Sequence, residues 1–181
     1  FKVPKTVTHA KGLQFKQEEL EEFVETVARV GDKKGGLLVQ LPPSVKADKQ
    51  EELEGLLECL SSDAKGWNIA VEFRDPSWYK SAAYRVLQNL GAMMVEQDMP
   101  RSATPQTTAA GDFVYLRFHG PDGTYRGSYD DAFLAGHAKR IAAWVKEDRE
   151  VYVYFNNTMG DALGNLATLN TMVDQRLATK G

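Results

Sequence analysis

The chain has 181 residues, of which 43% are hydrophobic and 26% charged, enough for one globular domain with its own core. Its formal net charge of -3 disfavours a general polyanion binder, and its one cysteine, Cys59, excludes an intrachain disulfide framework and a thiolate zinc site. No apolar run approaches the roughly 18 residues of a membrane span, no signal-peptide pattern opens the sequence, and such cysteine usage suits a reducing, cytoplasmic setting.

The opening "FKVPKTVTH" reads as a strand near 1–3 running into a loop or strand end at His9. Leu20, Phe23, Val27 and Val30 then share one helical face, with Glu18, Glu19, Glu21, Glu22 and Glu25 on the solvated remainder. "GLLVQLPP" predicts a strand near 36–41, and Leu53, Leu56, Leu57 and Leu60 predict a helix in which Cys59 is a small buried hydrophobe. A strand near 68–74 follows in "NIAVEFRDP", then a helix on Tyr84, Leu87 and Leu90 closed by Gly91. "AMMVEQD" predicts a strand near 92–97, and the segment from Asp98 to Asp112, with two prolines and no apolar stripe, predicts a loop. "DFVYLRFHG" predicts a strand near 112–119. Leu134, Ile141, Trp144 and Val145 mark the next helix, "VYVYFNN" a strand near 151–156, and Leu163, Leu166, Leu169 and Val173 the last helix.

Short apolar strands alternating with helices are the mark of βαβ units and a parallel sheet covered on both faces. The expected architecture is α/β over residues 1–181 as one domain. Side chains alternate along a strand, so Val114, Leu116 and Phe118 share one face while Tyr115, Arg117 and His119 share the other. Tyr152, Tyr154 and Asn156 form a comparable row. If the strands line a barrel, the row facing the helices is the apolar one. Gln40, Glu72, Arg74, Arg117, His119 and Asn156 then point inward, most of them near carboxyl-terminal strand ends, where barrel active sites are built. Buried ions persist only when paired, so Glu72 is expected to serve as an anion among Arg74, Arg117 and His119.

Each of these residues also has a structural reading. Arg74, Arg117 and Glu72 could brace strands, His119 could be a satisfied core histidine, and Asp98 could form the turn before Met99 and Pro100. His137 is expected to pack or face solvent, and Tyr152 and Tyr154 to form wall. In "NNTMGD" an amide or Thr158 is expected to cap the last helix, and the backbone there could hold an anion.

"LLVQLPPS", "AVEFRDPSWY", "DFVYLRFHGPDGTYRGSY" and "VYVYFNNTMGDAL" together resemble the bacterial domain-of-unknown-function 72 family, also called YecE-like, from Phe1 to about Val173. The resemblance implies a TIM-type (β/α) barrel, partial in this chain, with about two amino-terminal βα units absent. That agrees with the ~200–250 residues of a full barrel. It points to Glu72, Asp98 and His119 as catalytic candidates. It points to Arg74, Arg117, Tyr125, Arg126, Tyr129, Asn156, Asn157 and His9 as substrate-binding candidates, with Tyr125, Arg126 and Tyr129 on a loop folding over the barrel mouth. Asp75 stands where the family often has histidine, so no role is assigned to it.

Arginines beside a histidine favour an anionic ligand, because the guanidinium fork matches phosphate and carboxylate. The expected function is an enzyme acting on a phosphate- or carboxylate-bearing small molecule or nucleotide, without an organic cofactor and with a divalent metal left open. The alternatives are a nucleic-acid-directed binding protein or hydrolase, which the acidic charge disfavours, and a non-catalytic ligand-binding module. No membrane partner is expected.

Overall fold

The computed structural model describes residues 1–105 and 111–178. Its contacts divide it into two compact units, Phe1–Val95 and Glu96–Gly181.

In the first unit, helix α1 (Lys5–Thr8) follows a single parallel bridge between Lys2 and Leu38. Then come α2 (Gln17–Ala28), β1 (Gly36–Gln40), α3 (Gln50–Asp63), β2 (Asn68–Glu72), α4 (Ser81–Asn89) and the two-residue β3 (Met93–Met94). The strands pair in parallel in the order β1-β2-β3, with Leu38 opposite Ala70 and Gln40 opposite Glu72. Leu37 and Val39 of β1, and Ile69 and Val71 of β2, pack into one core with Leu20, Phe23, Val27, Leu53, Leu56, Leu57 and Leu60 of the helices. Gln40 and Glu72 therefore lie on the opposite sheet face, as alternation requires. Gly91 closes α4 at φ +65°, a conformation that glycine adopts without penalty.

The second unit holds β4 (Glu96–Gln97), β5 (Phe113–Phe118), α5 (Asp131–Lys146), β6 (Glu150–Phe155) and α6 (Ala162–Ala178), with parallel sheet order β4-β5-β6. Val114, Leu116, Phe118, Val151, Val153 and Phe155 pack with Leu134, Ala138, Ile141, Trp144 and Leu169 of the helices. The other face of the same two strands carries Tyr115, Arg117, Tyr152 and Tyr154, with His119 and Asn156 one step beyond. Asp130 caps α5 by accepting the Phe133 N–H at 2.8 Å.

Three local differences from the sequence reading have physical causes. The expected strand near 92–97 is split at Val95, whose N–H bonds to the Val71 carbonyl while Glu96 and Gln97 pair with Leu116 and Arg117. The cap of the last helix is Asp161, which accepts the Gly164 N–H at 3.2 Å, rather than an asparagine amide or Thr158. The buried face of α6 is Asn165 and Leu169; Leu163 is 82% exposed. The helix turns its asparagine inward, where the amide both accepts the Tyr129 N–H and donates to the Tyr129 carbonyl. In the 98–112 loop, residues 106–110 lie outside the described residues, and 99–105 contain only turns and irregular backbone.

Candidate functional site

In the first unit the polar residues gather where β2 ends. Glu72 is the last residue of that strand and fully buried, and its carboxylate accepts from Arg74 Nε, whose side chain is 8% exposed. Its backbone carbonyl takes the Leu41 N–H at 2.9 Å. An ion pair this deeply buried seldom adds stability over an apolar pair of the same size, since each ion loses several kcal/mol of hydration. Asp75 ends the same segment by capping a 3-10 turn through Ser77 N–H, at 3.0 Å. His9 ends α1 on the surface, with Nδ1 3.0 Å from Thr8 Oγ1. What desolvation it suffers lowers its pKa, assisted by Lys5 and Lys2.

The second unit holds a denser network. Asp98 follows β4 and sits beside the end of β5. One carboxylate oxygen accepts both the backbone N–H of His119, at 2.7 Å, and its Nδ1, at 3.0 Å. The other accepts the Tyr129 hydroxyl, and that hydroxyl in turn accepts the Gly120 N–H at 2.6 Å. Burial and the adjacent Asp98 raise the Tyr129 phenol far above its ordinary pKa, so it stays a donor. His119 is fully buried. The hydrogen-bonding pattern turns the Asn156 amide oxygen toward Arg117 Nη2 (2.6 Å), Arg117 Nε (3.2 Å) and His119 Nε2 (3.2 Å). Both ring nitrogens of His119 thus face oxygen acceptors.

Two residues that the sequence reading left unassigned hold this arrangement in place. Gln97, 4% exposed, bonds across the turn after Asp98: its amide donates to Ser102 and its oxygen accepts the Met99 N–H at 2.7 Å. Asn165 on α6, 3% exposed, accepts from Tyr129 N–H (3.1 Å) and Asn157 Nδ2 (2.9 Å), and donates to Ser128 Oγ (2.9 Å) and the Tyr129 carbonyl (3.3 Å). A glutamine at the end of an apolar strand was the available signal for Gln97, while Asn165, one of three amides on α6, carried none.

The loop from Gly120 to Gly127 is tied down along its length. Tyr125 N–H bonds to the His119 carbonyl (2.7 Å), Met159 N–H to the Tyr125 carbonyl (3.1 Å), and Asp161 N–H to the Gly127 carbonyl (3.1 Å). Asn157, fully buried, donates from Nδ2 to that same Gly127 carbonyl at 3.0 Å. Gly160 lies so close to Gly127 that a Cβ there would overlap its carbonyl oxygen. Tyr125 holds φ +64°, is 42% exposed, and meets the His119 ring edge-on at 5.7 Å; Arg126 is exposed. Of the expected site residues, the second unit brings together Asp98, Arg117, His119, Tyr125, Tyr129 and Asn156. Asn157 and Tyr129 use their polar groups for bracing. Glu72 and Arg74 pair within the first unit.

Among the described residues no group of three or more His, Cys, Asp or Glu side chains is placed to hold a metal ion, and no helix is long and apolar enough to cross a membrane.

No curated protein matches the chain. A crystal structure of a DUF72 family protein from Thermotoga maritima is similar at a TM-score of 0.81 and 28% identity, covering 96% of this chain and 72% of that one. Two crystal structures of a DUF72 family protein from Enterococcus faecalis are similar at TM-scores of 0.80 and 0.78. Their identities of 20% and 21% speak to the fold alone; each covers 96% of this chain, and 73% and 76% of the respective relative. A family model described as "Protein of unknown function DUF72" matches residues 1–180, and the chain therefore belongs to the DUF72 family.

Proposed function

We propose that this protein is an enzyme of the (β/α)-barrel type. It acts on a small anionic molecule, a phosphate or carboxylate, at the carboxyl-terminal ends of its parallel strands. The observation that carries the reading is the Asp98–His119–Asn156–Arg117 chain of hydrogen bonds in the second unit. It places an anion, an imidazole and a guanidinium in series at adjoining strand ends. Such a network is costly to desolvate and is unneeded for a core that Phe118, Leu134 and Leu169 already fill.

In this reading Arg117 supplies the fork that takes the anion. Asp98 fixes the orientation of the imidazole, and His119 holds the proton delivered to or taken from the ligand by way of the Asn156 side. In the first unit, Glu72 and Arg74 at the carboxyl end of β2 are kept as candidate residues of that unit. Tyr125 and Arg126, on the exposed stretch of the loop, are the remaining ligand contacts, with Tyr129 and Asn157 acting behind them. His9 is kept as a candidate contact of the first unit.

The test is calorimetric titration with ribose 5-phosphate. The wild-type chain is expected to bind it saturably, and Arg117→Ala to abolish binding while the circular dichroism spectrum stays native. Arg117→Lys, which keeps the charge and loses the fork, is expected to fall between them. Absence of binding to the wild type, or undiminished binding to Arg117→Ala, would sink the reading.

A further inference from the structure

We propose that the ligand carries a planar ring as well as an anion, as a nucleoside monophosphate does, and that the ring stacks on Tyr154. The inference rests on the anion-site reading above and adds the class of molecule that fits it.

It comes from the sheet face of β5 and β6 that looks away from α5 and α6. The register sets Tyr115 opposite Tyr152 and Arg117 opposite Tyr154. Along this face the aromatic rings form a column. Phe113 meets Tyr152 edge-on at 6.1 Å, and Tyr152 lies 5.9 Å from Tyr115. Tyr115 stacks on Tyr154 at 4.9 Å with 23° between planes. Phe113 and Tyr115 are each 4% exposed, Tyr152 is half-buried, and Tyr154, the last ring, is 41% exposed. The Tyr152 hydroxyl is held by Glu150 Oε2 at 2.6 Å. The last ring therefore stacks on Tyr115 and is the most exposed of the four. It is directly paired with Arg117 across the ladder and two residues from Asn156 on its own strand.

Three properties of this arrangement point the same way. A tyrosine stacked on a buried column is already ordered, so a planar ligand pays little side-chain entropy to use it. Stacking is tolerant of the ring's identity and suits any nucleobase. The guanidinium of the paired strand gives the adjoining end of the same face the positive charge that a phosphate seeks. A simple sugar phosphate would use Arg117 and not the ring; a nucleoside would use the ring and not the guanidinium. A nucleoside monophosphate uses both.

The experiment compares AMP with ribose 5-phosphate on the full chain by calorimetry, in the wild type, Tyr154→Ala and Tyr154→Phe. A stacked base is expected to make AMP tighter by about 5- to 100-fold. Tyr154→Phe should keep that preference. Tyr154→Ala should erase it while ribose 5-phosphate binds as before, which also reports an intact fold. Equal affinities for AMP and ribose 5-phosphate in the wild type would overturn the inference and leave the anion site standing. So would an AMP preference that survives Tyr154→Ala, or loss of ribose 5-phosphate binding in that variant, which would make the ring a structural part. If the wild type binds neither compound, both readings fall together.

Discussion

Asn165→Ala should be among the most damaging single changes on α6, although the residue is polar. The alanine removes four hydrogen bonds, two accepted by Oδ1 and two donated by Nδ2. Asn157 Nδ2 retains the Gly127 carbonyl, so its loss is small. Tyr129 N–H is left in a residue only 6% exposed, and an orphaned buried donor costs about 1–3 kcal/mol. The Tyr129 carbonyl and Ser128 hydroxyl lose a partner each, adding about 1 kcal/mol, while alanine's better helix propensity returns about 0.5 kcal/mol. The net expectation is a loss of about 2–3 kcal/mol, or about 4–12 °C in Tm for a chain of this size.

Urea unfolding followed by circular dichroism, with a thermal scan, measures it. Leu163→Ala on the same helix is the control: at 82% exposure it should stay within about 0.5 kcal/mol of wild type. The argument is refuted if Asn165→Ala costs no more than Leu163→Ala, for then α6 is not what fixes the backbone around Tyr129.

Two further outcomes follow from burial and close approach. His137 lies against Phe118 and Phe133, at 4.7 and 4.5 Å between ring centres, and desolvation first and Arg140 second lower its pKa to about 4. The unfolded chain then binds more protons than the folded one between about pH 4 and 6.5, so stability rises with pH across that window and is lost as pH falls through it. Allowing for partial solvent contact, the loss from pH 7 to 4 due to this group is about 1–3 kcal/mol. His137→Leu should flatten the urea-midpoint profile over that range, and an unchanged slope would assign the dependence elsewhere. Gly160→Ala should lower Tm by more than about 5 °C, since its Cβ meets the Gly127 backbone, which cannot move aside as a flexible side chain would. A Tm within a degree or two of wild type would show that this approach is looser than described.

The strand and helix order was readable because hydrophobic period is a local property. "GLLVQ" and "NIAVE" carry their burial in their own letters, and the placing of Arg117, His119 and Asn156 on the sheet face away from α5 and α6 follows from parity alone. The partnerships were harder to read. That Asp98 meets His119 depends on a chain reversal through Gln97 and Ser102 whose bonds have no sequence period. The orientation of α6 was misjudged for the same kind of reason. Counting leucines favoured Leu163 and Leu166, yet one buried amide serving four backbone and side-chain partners outweighs two apolar side chains that have another face available. Tyr129 and Asn157 were legible as important and not as braces, since a motif marks a position without saying which way its polar atoms are spent.

The fastened state of residues 120–127 bears on timing. Under the proposed function, a segment sutured by backbone bonds to the start of α6 would offer an incoming molecule a fixed rim, and entry would need no rearrangement of it. Capture at this rim would then be a single diffusive encounter whose rate rises in proportion to concentration, without the plateau that a slow shutter imposes. Selectivity at the rim would come from shape already in place, with only the exposed rings and guanidinium of Tyr125 and Arg126 free to adjust.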